Sequence, residues 1–165
     1  MFHRVFSHSD DKIKKYLISA KKNVWVVAKL PCWNYIKEGR KIGANMRKVK
    51  ECYLKILKIE LEDLKDDIEQ LIEETRKEKD AGKLTNYVFF QNIALFKNEL
   101  LGLNVFEDII ESTNPEDFDN LDEMIVHLKE RFFKKIKTLG LAEAIRVYVG
   151  RKMTKAKRYV VERRV

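Results

Sequence analysis

Few residues in this sequence break helices. Two prolines and six glycines in 165 residues leave little to make the closely spaced turns of a sandwich or barrel. Cysteine is nearly absent as well. Cys32 and Cys52 stand twenty positions apart in no C-x-x-C pair, so neither a zinc ribbon nor a disulfide framework can be built from them. Two reduced thiols are the expectation, with a single Cys32–Cys52 bridge as the alternative. Glutamine is scarce, with only Gln70 and Gln91. That scarcity beside abundant Lys, Glu and Ile is a bias of proteins from hot environments, and AT-rich genomes produce a similar one.

Long apolar runs are missing too. The longest, Val24 to Leu30, falls far short of the roughly 20 residues that span a bilayer. The start, MFHRVFSHSDDK, lacks the apolar stretch of a secretory signal. The expected protein is soluble, intracellular or carried in a virion, with no membrane partner.

Catalytic and cofactor patterns are also lacking. The three histidines are His3, His8 and His127, two of them at the very start of the sequence, and no nucleophilic triad is expected from them. Glu123 and His127 sit four apart, whereas carboxylate di-iron sites use Glu-x-x-His at three, twice over. The acidic stretch from Asp63 to Glu74 has no glycine turn of the EF-hand kind. Gly39-Arg40-Lys41-Ile42-Gly43 resembles a phosphate loop in composition only. A non-enzyme with no metal and no cofactor is expected.

What the sequence does contain is charge, at 36% of residues against a usual roughly 25%, beside an ordinary 45% apolar share. The net charge of +8 is unevenly spread. Residues 1–50 hold thirteen Lys/Arg and three Asp/Glu, residues 51–130 nine and twenty-one, and residues 131–165 twelve and two. Two basic ends therefore flank an acidic middle. Such blocks need counter-charge, either from each other or from a partner.

The apolar pattern predicts an all-α helical bundle of four to five helices with basic terminal arms. Leu54, Leu57, Leu61, Leu64, Ile68, Leu71 and Thr75 step by three and four, which predicts a long amphipathic helix over about 46–79. Asp80-Ala81-Gly82 marks its stop. A second helix is expected from Thr85 or Asn86 to about Ser112. Its apolar residues fall on nearly every face, which predicts burial against neighbouring copies or a related subunit as well as against its own core, with Gly102 as a point where it kinks or divides. Ser112-Thr113-Asn114-Pro115-Glu116-Asp117 reads as the start of a third helix ending at Gly140. The last helix is expected from Leu141 to about Val161, turning basic after Gly150. In the first fifty residues, Asp10–Ala20 suits a short helix, and Val24–Leu30 suits a helix or an extended arm ended by Pro31. The chain divides into a basic arm (1–45), a helical core (46–140) and a basic C-terminal helix (141–165), together one domain.

The basic ends carry the positive indication of function. Lys12, Lys14, Lys15, Lys21, Lys22, Arg40, Lys41 and Arg47 are interleaved with Trp33 and Tyr35. Toward the other end come Arg151, Lys152, Lys155, Lys157, Arg158, Arg163 and Arg164, with Tyr148 and Tyr159 nearby. On a helix Arg151, Lys155 and Arg158 share a stripe. Cations interleaved with aromatics suit phosphate backbone and stacked bases. No zinc-finger, RNP or helix-turn-helix pattern is present, so binding without sequence reading is expected. The expectation is a structural protein that coats or packages nucleic acid as a multimer, such as a virus coat or nucleocapsid protein or an architectural protein. A small ribonucleoprotein subunit is another form of it. The other expectation is a helical protein–protein module or scaffold, whose basic blocks face acidic helices of its own or of a partner.

Overall fold

A computed structural model of the chain describes residues 46–161. The segments expected at 10–20 and 24–31 lie outside the described residues. Four α-helices make up the described part: α1 (Met46–Asp80), α2 (Asn86–Glu111), α3 (Leu121–Leu139) and α4 (Ala144–Val161). Among the described residues there is no strand, and the fold is all-α.

The long helix forms because its seam buries. Leu57 and Leu61 are fully enclosed, with Leu54, Ile68 and Thr75 nearly so. At 35 residues α1 is about 52 Å long, too long to be covered by one short neighbour. It is covered along its length by α2, its most extensive contact, and by α4. Gly82, at φ 70°, ends it in the left-handed conformation that glycine adopts without strain. Thr85 then caps α2, its Oγ accepting the Val88 N–H at 3.3 Å.

Leu103, Phe106 and Ile110 from α2 meet Met124, Leu128, Phe132 and Ile136 from α3 in one core. Phe106 and Phe132 stack at a 50° tilt with centroids 4.7 Å apart. Ile145, Val149, Met153 and Ala156 bring α4 into the same core.

Several local expectations are corrected. Gly102 neither kinks nor divides α2, which runs unbroken through it. A Cβ at position 102 would lie 2.9 Å from Ile145 Cγ1, so the glycine is there to let α4 approach. Pro115–Asp117 forms a separate 3₁₀ turn capped by Asn114, and α3 begins six residues after the proline, under its own cap, Asn120. The last helix starts at Ala144 rather than Leu141. Lys50, buried on α1, donates to the Phe118 carbonyl and ties the connection between α2 and α3 down to the long helix. Cys52, buried near the start of α1, is disulfide-bonded rather than a reduced thiol. Cys32, the sequence's other cysteine, lies outside the described residues.

Candidate interaction surfaces

The acidic middle and the basic C-terminal helix meet inside the bundle. Glu60 projects from α1 into the interface with α4, where it is completely buried. A buried carboxylate is costly unless it is paired and hydrogen-bonded. Here it receives both: Lys152 Nζ donates to Glu60 Oε2 at 3.0 Å, and Lys155 Nζ lies 2.7 Å from Oε1. The spacing of three along α4 is what lets both lysines reach one acid. Burial raises the pKa values of Asp63 and Asp67 on the following turns, and the nearby Lys152 opposes the rise. Tyr159 lies near the same acids and is also raised, chiefly by burial.

The predicted phosphate-binding residues therefore divide into groups. Lys152 and Lys155 are engaged with Glu60. Lys157 pairs with Asp122 of α3 at 2.6 Å. Arg47 bonds Glu51 at 2.8 Å and pairs with Glu116. Arg151 and Arg158 are exposed, and neither makes an ion pair among the described residues. Lys12, Lys14, Lys15, Lys21, Lys22, Arg40, Lys41, Arg163 and Arg164 lie outside the described residues. Within residues 46–161 the counts are 22 Lys/Arg and 22 Asp/Glu, so this part carries no formal net charge.

The second surface belongs to α2. Its sequence is apolar on every side, with burial expected against other subunits as well as its own core, and in the single chain one side faces outward. Tyr87 is 70% exposed and Phe90 66%, and Leu95 and Leu101 continue the exposure. Tyr87, Phe90, Ala94, the exposed Lys97 and Leu101 recur at spacings of three and four along one stripe, and the exposed Val88 and Leu95 lie about a third of a turn from it. From Leu84 to Phe96 no residue is charged. Gln91 donates to the Tyr87 hydroxyl at 2.6 Å, so even the polar groups of this stretch are partly occupied with each other.

Glu99 is buried on the side of α2 away from this stripe, near Tyr148 of α4, and burial raises its pKa. Sequence reasoning did not single it out. Its signal was a lone acid in the apolar run from Leu84 to Leu103.

The tested metal pair serves structure. Glu123 accepts the Asp119 N–H at 3.0 Å while Asn120 accepts the Glu123 N–H at 2.8 Å, a reciprocal cap at the start of α3. His127 packs on Phe118, ring centroids 5.0 Å apart. Among the described residues, no three His, Cys, Asp or Glu side chains gather as a metal-binding set. No described helix is long and apolar enough to cross a membrane. Neither a protein family, nor a curated protein, nor a solved structure matches the chain.

Proposed function

We propose that this chain is a non-enzymatic helical interaction module that joins copies of itself through the outward face of α2. The observation that supports this is the exposed stripe begun by Tyr87, Phe90 and Ala94, uncharged until Lys97, on a protein 36% of whose residues are charged. Isolated exposed apolar residues are ordinary on protein surfaces, whereas a contiguous rimmed patch marks an interaction site. Before Lys97 the stripe offers nothing to a charged partner. Its natural complement is an equally apolar helix, and the same stripe on a second copy supplies one about a two-fold axis. Tyrosine and phenylalanine are also the residues that anchor such contacts.

Sedimentation velocity over a concentration series tests the reading. Wild-type chain is expected to associate at micromolar concentration, and Tyr87→Ser/Phe90→Ser to remain monomeric with an unchanged helical circular dichroism spectrum. A wild-type chain that stays monomeric throughout the series rules the reading out.

A second reading is favoured by a different observation. Residues 46–161 carry no formal net charge, so the whole +8 comes from residues outside them, and Arg151 and Arg158 stand exposed on α4 with no ion pair among the described residues. A multimer built through α2 and gripping phosphate backbone with these cations would coat DNA or RNA without reading its sequence. Filter binding to arbitrary duplex and single-stranded DNA across a salt series tests it. Retention that falls steeply with salt is expected, and no retention at low ionic strength excludes it.

A further inference from the structure

We propose that copies of this chain also make a second, electrostatic contact, in which the cationic end of α3 in one copy seats on the acidic flank of α1 in the next. This contact rests on the self-association proposed above and gives it a direction.

The acidic element is a single stripe. Glu62, Asp66, Glu69 and Glu73 follow one another at spacings of four, three and four, which places them along one line of α1. That line lies about a third of a turn round the helix from the buried Leu61, Ile68 and Ile72, and all four acids are exposed. It runs about 16 Å at 1.5 Å per residue. Like charges at i,i+4 repel, so the stripe costs energy until a counter-charge meets it. Within the bundle almost none does. Glu62, Asp66 and Glu69 make no ion pair among the described residues, and Glu73 only approaches Arg76 and Lys77, at 3.7 and 3.8 Å.

The cationic element is the last two turns of α3. Arg131, Lys134 and Lys135 share one side, Lys137 stands beside them, and no acid occurs from Arg131 to Ala142. Lys134, Lys135 and Lys137 are exposed and make no ion pair among the described residues. The negative end of the helix dipole favours cations there, but it leaves their ammonium groups without a carboxylate. The two elements do not meet within one copy, since no ion pair joins α1 to α3 among the described residues.

A second copy is the occupant favoured by charge. The described body holds 22 charges of each sign, so it exerts little long-range pull on a polyanion, yet it carries on separate helices the two stripes that complement each other. Because α3 of one copy meets α1 of the next, the contact is heterologous and repeats from copy to copy. Together with a two-fold contact through α2, it would extend a pair into a chain of pairs.

Full-length charge-reversal variants test this by sedimentation velocity. Variant one carries Lys134→Glu and Lys135→Glu; variant two carries Glu62→Lys, Asp66→Lys and Glu69→Lys. Wild-type chain is expected to form species larger than dimers at low salt and to shrink to dimers as salt rises. Each variant alone should stop at dimers, with the higher association weakened at least about tenfold. An equimolar mixture should rebuild the larger species, because the reversed stripes complement each other, and this recovery requires both variants to be folded. Larger species that survive in either variant, or a mixture that fails to recover, overturn the electrostatic contact while leaving the α2 contact standing. Variant one losing DNA retention at unchanged mass also overturns it and assigns the α3 stripe to a polyanion. A wild-type chain that is monomeric at every salt concentration overturns both contacts.

Discussion

Glu60 and Glu99 are both buried acids, and their surroundings give them opposite roles. Glu60 holds two ammonium groups, so removing them leaves an uncompensated charge in the α1–α4 interface. Lys152→Met/Lys155→Met should cost about 3–5 kcal/mol in urea unfolding, whereas changing all three residues to apolar ones of similar size should cost far less. Glu99 has no such partner among the described residues, and burial raises its pKa. An acid raised in the folded state binds its proton more tightly there than in the unfolded chain. Its contribution to stability is therefore complete below the ordinary glutamate range and is lost as pH rises through the raised value. Glu99→Gln should stabilise the protein at neutral pH and flatten the fall in stability that begins above the ordinary glutamate value of about 4.3. Equal slopes for wild type and Glu99→Gln in pH-dependent melts would show that Glu99 does not titrate in this way.

Among the helices, α1 was the most legible, because its apolar seam, i,i+4 charge pairs and glycine stop all agree. The other helices were legible in number and approximate place. Their details depended on tertiary contacts that no local pattern encodes. A glycine inside a helix reads as a kink from sequence, yet Gly102 is set by Ile145, forty-three positions away, packing where its Cβ would stand. Gly102→Ala should accordingly destabilise by about 1–2 kcal/mol, the overpacking outweighing a helix-propensity gain of about 1 kcal/mol. The loss should shrink in an Ile145→Ala background, as a double-mutant cycle in urea would measure. The cap signals around Pro115 were legible as a helix start, but Asn114 and Asn120 each cap an element of their own. The C-terminal basic stripe was readable only as charge. Whether Lys152 and Lys155 face solvent or Glu60 depends on how α4 lies on α1, which is settled by the core residues Val149, Met153 and Ala156. The outward side of α2 was illegible for a related reason. Periodicity shows that a helix is apolar all round without saying which side its own chain leaves uncovered.

On the scale of the whole molecule, charge is sorted by location. The bundle balances its 22 cations with 22 anions, partly through contacts such as Glu60 and Asp122, and sends two unmatched stripes outward. The full chain has an isoelectric point near 9.4. An exposed aromatic helix on a body of zero formal charge is poorly protected against precipitation, since repulsion between copies is what keeps such surfaces apart. Residues 1–45, with ten Lys/Arg and three Asp/Glu, hold most of the net charge that opposes such association. Any polyanion that neutralises them would bring the bundles together, and condensation would follow from titrating that charge even with every interface unchanged.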